Sequence, residues 1–245
     1  MEEIMKKLFS TMDIPLTDEQ EKKFIRFYEL LTEWNKRINL TSITEYSEVK
    51  VKHFLDSVAL LKYVSVNEMK HKSLIDVGTG AGFPGIPLAI MCPELSVTLL
   101  DTLNKRITFL NEVVKECELS NVRTVHGRAE DIARQEEYRE HFDYSVSRAV
   151  AGLSVLSEYC IPFLKVGGLF LAYKSVKTEE EIIESKHALD LLHADIERVE
   201  KFELPANNSE VSSDGDRRSI LFIRKNNTTE SRYPRRAGKP SKKPL

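Results

Sequence analysis

Apolar and polar positions divide the chain into a helical start and a longer stretch where short apolar runs alternate with amphipathic segments. Ile4, Met5, Leu8 and Met12 form a short apolar stripe. Thr17 followed by Gln20 is a capping-box signature. Behind it Phe24, Phe27, Tyr28, Leu31 and Trp34 recur at three- and four-residue spacing, one face of an amphipathic helix. That stripe reads as core rather than as a base-stacking surface, since stacking platforms lie on exposed sheets or grooves. A third helix is expected over residues 47–63, with Val51, Phe54, Leu55, Val58 and Leu60 or Leu61 inward. From Ser73 the pattern changes. Ser73–Val77, Ser96–Leu100, Val122–Val125, Phe142–Ser147 and Leu169–Tyr173 are apolar runs of strand length. Helical patterns lie over Pro84–Met91, Asn104–Cys117, Leu153–Leu164 and Thr178–Leu191. Two last runs, Ile196–Leu204 and Arg218–Arg224, lie close enough for a hairpin. The alternation predicts an α/β fold with a seven-stranded, mostly parallel sheet, helices on both faces and an N-terminal helical cap. The expected units are the cap (1–70), the α/β domain (71–225) and a tail (226–245).

The stretch from Lys72 to Arg106 is the most informative. A strand, the glycines Gly78, Gly80 and Gly82, a helix, a second strand and a terminal acid, Asp101, make the first βαβ unit of a nucleotide-type fold. The dinucleotide form G-x-G-x-x-G leaves a helix N-terminus open to a pyrophosphate. Here the third glycine comes one residue early, Phe83 takes the place of the last glycine, and Asp76 stands two residues before the first. A bulky ring and a carboxylate suit a pyrophosphate poorly and suit a zwitterionic amino acid carrying an adenosine. The run Asp76 to Gly82 resembles the first motif of class I S-adenosylmethionine-dependent methyltransferases, which makes the expected domain Rossmann-like. The resemblance implies that Asp101 holds the ribose hydroxyls through its two acceptor oxygens. A tight glycine turn with no ligand is the structural alternative.

Composition adds bounds. Hydrophobic residues are 41% and charged residues 30% of 245, ordinary for a globular protein, and no apolar run approaches a membrane span. The N-terminus lacks a signal-peptide core, and the three cysteines have no metal spacing, so the chain is expected in the cytoplasm, with no metal. The net charge of −2 is unevenly spread. From Arg224 onward there are eight Lys/Arg and one Glu, or +7, which leaves −9 on the rest. A basic, proline-containing tail of low apolar content is expected to be disordered alone and to meet a polyanion, or else to be a solubilising terminus.

Further candidates sit at strand ends, where open α/β sheets bind ligands. The loop from His126 to Asp131 should meet the cofactor, with Glu130 or Asp131 near the adenine; acids favoured at a helix start explain them equally. Arg148 ends the fourth strand and Lys174 the fifth, both as candidate phosphate or base contacts. Lys105 and Arg106 lie in a first helical turn, where the helix dipole disfavours cations, so an anion nearby or a solvated face accounts for them. Asn39 reads as a turn residue or as part of the substrate side. His53 and Asp56 share a helix face as a surface pair or, for His53, a substrate contact.

Taken together, several motifs resemble one family. They are Trp34-Asn35 with Ile38 to Thr41, His53 to Ser57, Asp76 to Pro87, Asp101 to Phe109, Arg128-Ala129-Glu130, Ser147 to Val150, and Tyr233-Pro234-Arg235-Arg236. The family is ribosomal RNA small subunit methyltransferase G, also called glucose-inhibited division protein B. The match spans nearly the whole chain and is weakest over Asn207–Asp216 and the last few residues. It implies transfer of a methyl group from S-adenosylmethionine to guanine N7 in the decoding region of 16S rRNA. It also implies that Gly78, Phe83, Ala129, Glu130 and Arg148 contact the cofactor. The partner is then 16S rRNA or the small ribosomal subunit, met by a monomer through Arg148, Lys174, Lys105, Arg106, Asn39, His53 and the tail residues Arg235 and Arg236. Guanine N7 needs no general base, which accords with the lack of an acid–base dyad, of an Asn/Asp-Pro-Pro-aromatic motif and of a placed nucleophilic cysteine. A methyltransferase for a small molecule or protein is the first alternative. A nicotinamide-dependent oxidoreductase or a non-catalytic nucleotide-binding module is the second.

Overall fold

The computed structural model describes residues 2–148, 151–175, 178–205 and 217–245. Ala149 and Val150 of the quoted strand-end motif, and Asn207–Asp216, lie outside the described residues. Two helices open the chain, α1 (Glu2–Ser10) and α2 (Asp18–Asn35). The capping box forms: the Thr17 hydroxyl accepts from the Gln20 amide at 3.2 Å, and the Thr17 amide donates to the Gln20 side chain at 2.9 Å. The Phe24, Phe27 and Leu31 face of α2 is buried, so the aromatic stripe is core. The expected third helix is present but not uniform. Short α-helical turns, α3 (Tyr46–Glu48) and α4 (Asp56–Val58), flank a π-helical stretch, Val49–Leu55, and a 3-10 turn follows at Ala59–Lys62. The wider π turn buries Val49 and Lys50 as well as the predicted Val51, Phe54 and Leu55.

The sheet has β1 (Ser73–Val77), β2 (Ser96–Asp101), β3 (Val122–His126), β4 (Phe142–Arg148), β5 (Leu164–Lys174), β6 (Ala194–Glu203) and β7 (Arg217–Lys225), ordered β3-β2-β1-β4-β5-β7-β6. The first five strands run parallel, and β7 is antiparallel to both β5 and β6. Alternate residues feed two cores. Leu74, Leu99, Val146, Leu171 and Phe222 face the cap together with α5 (Gly85–Met91) and α6 (Asn104–Glu116). Ile75, Leu100, Phe170, Ala172 and Leu221 face α7 (Ala129–Ile132), α8 (Leu153–Cys160) and α9 (Thr178–Leu191). The cap thus shares one core with the sheet; ring pairs from Phe27 to Phe54, Phe83 and Phe109 join them at 5.5, 5.2 and 6.4 Å. Pro162 ends the expected Leu153–Leu164 helix early and opens a 3-10 turn. β5 begins before the predicted Leu169, but its pairing with β4 jumps from Leu164 to Leu169, and Gly167, at φ +84°, sits in the looped-out stretch.

Asp76 organises the glycine loop. Its Oδ2 accepts from the Thr79 hydroxyl at 2.7 Å and the Gly85 amide at 2.8 Å. Gly78, Gly80 and Gly82 all have positive φ, at 72°, 61° and 93°. A β-carbon on Gly85 would lie 2.4 Å from a Leu99 methyl and 2.8 Å from Asp76 Oδ2, so helix and strand approach through that glycine.

The tail departs most from expectation: residues 226–245 pack on the body instead of hanging free. Arg139 donates to the carbonyls of Tyr233 at 2.9 Å and Thr229 at 2.7 Å, and Arg134 donates to the Pro234 carbonyl. Arg235 forms a bidentate pair with Glu158 at 2.6 and 2.9 Å, and its amide donates to the same carboxylate. The side chain of Glu158 has 0% exposure and that of Arg235 15%. A segment poor in apolar side chains is held by arginines reaching its backbone, a contact that composition does not report.

Two predictions follow from these buried carboxylates. Arg235→Ala leaves Glu158 buried without its cation and should cost about 3–5 kcal/mol in chemical denaturation; a loss below about 1 kcal/mol would make the pair equivalent to a surface bridge. For Asp76, burial is the main force raising its carboxyl from 3.8 to about 7, opposed by the Thr79 and Gly85 hydrogen bonds and the Arg148 charge. The folded chain therefore holds this proton more tightly than the unfolded chain. The stability that results is fully present below about pH 4 and is lost as pH rises through about 7. Asp76→Asn removes the titration and keeps an oxygen acceptor. Urea denaturation at about pH 5 and about pH 7.5 should show the wild type losing stability relative to the variant as pH rises. A constant difference would mean that the carboxyl does not titrate in this range.

Candidate active site

Parallel pairing brings the carboxyl ends of β1, β2, β3 and β4 to one rim, where a cleft of about 960 Å³ opens. Its floor is the glycine loop. Gly78 and Thr79 amides donate to the Leu100 carbonyl at 2.9 and 3.1 Å, which leaves Gly78, Gly80 and Ala81 facing the cleft. Asp76 and Gly82, expected among the cofactor contacts, do not line it. Asp76 works from behind the loop. Gly82 is a packing position, since a β-carbon there would lie 2.7 Å from Ile86 and 3.0 Å from Leu110.

Asp101, at the end of β2, lines the cleft and is 3% exposed. Its Oδ2 accepts from the Gly80 amide at 2.9 Å and from Arg106 at 3.3 Å, and Oδ1 accepts from the Leu103 amide at 2.9 Å. A carboxylate has about four lone-pair sites, so an acceptor position is left for a ligand hydroxyl. The anion that the first-turn cation Arg106 implied is thus Asp101 itself, while Lys105 is exposed and off the cleft.

The opposite wall comes from Gly127, Ala129 and Glu130 after β3. Glu130 is 6% exposed, and its Oε1 accepts from the Gly238 amide at 2.8 Å. Tyr159, Gly238 and Ser241 line the same wall. Burial first, and then the adjacent Glu130 carboxylate, raise the Tyr159 phenol above its ordinary pKa. None of these three stood out in the sequence. The available signal was the Tyr233-Pro234-Arg235-Arg236 motif, which anchors the segment carrying Gly238 and Ser241.

Arg148 closes the other end of the rim. Its guanidinium donates to Asp56 Oδ2 at 2.7 Å and the Lys52 carbonyl at 3.3 Å, and lies 5.1 Å from the Phe83 ring centroid. The His53 ring stacks on Phe83 at 4.6 Å and bonds the Thr41 hydroxyl at 2.8 Å. Burial, then the Arg148 charge, pull the His53 pKa down to about 4, so its ring is neutral near pH 7. His53 and Asp56 are therefore no surface pair: Asp56 is 4% exposed between Arg148 and Arg218, the latter at 3.4 Å. A second cavity of about 480 Å³ adjoins the cleft across His53 and Arg148. Lys174 lines it, paired with Glu181 at 2.6 Å.

The other candidates fall outside both cavities. Asn39 is exposed, and the turn is built by Asn35, whose carbonyl oxygen accepts from Leu40 and Thr41 at 2.7 and 3.0 Å. Arg235 is committed to Glu158, while Arg236 is exposed. Among the described residues no group of three metal-ligating side chains converges. The three thiols are buried, and burial raises their pKa values.

Comparison with known proteins places this geometry. The model of the family described as rRNA small subunit methyltransferase G matches residues 20–209. A ribosomal RNA small subunit methyltransferase G from Desulfitobacterium hafniense is 50% identical over 96% of this chain and 93% of its own. Its counterpart from Desulforamulus reducens is 45% identical over 98% and 97%. Among solved structures, a SAM-dependent methyltransferase from Aquifex aeolicus matches with a TM-score of 0.53 at 16% identity, over 79% of this chain and 98% of that one. A SAM-dependent O-methyltransferase from Thermotoga maritima also gives 0.53, at 17% identity over 82% and 72%. At those identities the structures speak for the fold. From the family model and the near full-length relatives together, the chain belongs to the rRNA small subunit methyltransferase G family.

Proposed function

We propose that the protein methylates N7 of a guanine in the decoding region of 16S rRNA, using S-adenosylmethionine. The junction at Arg148 and His53 between the cofactor cleft and the second cavity carries this reading. The residues present fit the cofactor: a positive-φ glycine floor for close approach, an Asp101 carboxylate with acceptor capacity, and Glu130 on the far wall. When bound, S-adenosylmethionine would supply an electrophilic sulfonium methyl to the guanine N7 lone pair, with the thioether S-adenosylhomocysteine as leaving group and no proton to remove. Asp101 orients the ribose, Ala129 and Glu130 flank the adenine, and Phe83, wedged between the cap and Arg148, excludes water from the reacting end. Among the described residues no free general base stands at this junction: His53 is neutral but poorly basic, and Asp56 is committed to two guanidiniums. Rate acceleration then rests on alignment, an effect that reaches about 7–11 kcal/mol.

The exposed Lys105 and Arg236 are assigned to phosphate contacts, Lys174 and Arg148 to the base side, with His53 held as a stacking wall. No helix among the described residues is long and apolar enough to cross a membrane. We place the enzyme in the cytoplasm, acting as a monomer on 16S rRNA or the small ribosomal subunit. A small-molecule or protein substrate is the reading to which a negative RNA result would return us.

Unmodified small-subunit particles incubated with labelled S-adenosylmethionine should take label at one guanine N7, located by base mapping. Bound cofactor with no label in RNA would overturn the substrate assignment. Arg148→Ala should lower turnover by about 100-fold or more with the fold retained, as loss of an oriented charged donor does; wild-type turnover would remove Arg148 from the site. Asp101→Asn should weaken S-adenosylhomocysteine binding by roughly 10- to 100-fold in calorimetry, the range for a hydrogen bond to a charged group.

A further inference from the structure

The C-terminal segment that the sequence assigns to RNA has another role in the fold. Two anchors fix its course. Arg235 is locked to Glu158, and Tyr233 is 4% exposed under Arg139 and Arg134. Beyond them the chain turns at Gly238, with φ +78°, and the short helix α10 (Lys239–Lys242) follows. This turn aims the Gly238 N–H at Glu130 Oε1, 2.8 Å away, and brings Ser241 to the wall of the cofactor cleft beside Tyr159. The Ser241 hydroxyl in turn donates to the Gly238 carbonyl at 3.2 Å. Glu130 is nearly buried, and two donors fix its direction, the Gly238 N–H at one oxygen and the hydroxyl of the adjacent Tyr159.

Resting on the cofactor reading above, we propose that residues 238–245 form the adenine-end wall of the cofactor site, with the Gly238 N–H as the positioning group that aims Glu130 at the exocyclic amine of adenine. The strap N–H and the Tyr159 hydroxyl take two of the carboxylate's roughly four lone-pair sites, which leaves capacity to accept from that amine. A charge-assisted hydrogen bond of this kind discriminates between adenine and a base bearing a carbonyl oxygen at the same carbon, which the carboxylate repels. The strap lies beyond the residues matched by the family model. Of the basic residues in this segment, Arg235 holds the wall in place through Glu158.

The test is a chain ending at Ala237, which keeps the Arg235 and Tyr233 anchors and removes the Gly238 donor and Ser241. Calorimetry compares S-adenosylhomocysteine with S-inosylhomocysteine, in which oxygen replaces the adenine amine. The full-length chain should bind the adenine compound the more tightly. Truncation should weaken S-adenosylhomocysteine by about 10-fold and leave the inosine compound nearly unchanged, so that the ratio collapses. Equal weakening of both ligands, which a purely structural role would produce, overturns the proposal, as does no weakening of either. Should the truncated chain fold poorly, Gly238→Val in the full-length chain, which opposes the positive φ that aims this N–H at Glu130, reports the same ratio. Failure of the full-length chain to bind either compound would instead sink the reading of the cleft itself, and the strap assignment with it.

Discussion

The carboxylate of Asp76 is the constraint on which the site depends. It sits at the end of a strand with no access to water, in a place where an acid is costly. It is retained because it fastens three things at once: the strand end, the Thr79 hydroxyl in the glycine loop, and the first amide of the following helix. Gly85 lets that helix come close enough for the last of these bonds. The loop then has only one path, through three positive-φ glycines, and that path aims its outer face at the cleft. A residue that never touches the cleft thus shapes its floor.

The same path sets Phe83 at the edge of the cleft with its ring packed into the cap. There the ring joins Phe27, Phe54 and His53, and receives the Arg148 guanidinium. Cap and α/β domain are consequently one packed body at the rim. The π-helical turn belongs to this joint, because it lets the helix bury Val49 and Phe54 while still presenting His53 and Asp56 to Arg148. The charge of Arg148 is balanced by Asp56 in a nearly dry setting, so breaking this pair costs more than a surface bridge would. Rigidity of this kind suits catalysis by alignment, in which a misplacement of about 1 Å is expensive.

Arginines act in two further places as fasteners rather than as ligand contacts. Arg134 and Arg139 catch carbonyls of the tail, and Arg235 neutralises Glu158. Their donors are taken up internally by carbonyls of the tail and by Glu158. Lys174 and Arg106 behave alike, each paired with an acid of the same rim.

The sequence by itself determined the order of strands and helices, the glycine loop, Asp101, and the capping box. Each depends on residues within about a turn or a strand of one another, where periodicity and backbone sterics act directly. It also carried the family, through motifs spread over the chain. Only the tertiary structure decided which of the marked residues face the cleft. Asp76 and Gly82 differ from Gly78 and Gly80 by the side of the loop they occupy, and no spacing rule separates them. Asn35 rather than Asn39 builds the turn because its side chain reaches back over Leu40 and Thr41. The tail packs because its partners, Arg134, Arg139 and Glu158, lie some 77 to 100 residues earlier in the chain. Contacts of that separation leave no local pattern, and they exist only once the sheet has brought the strand ends together.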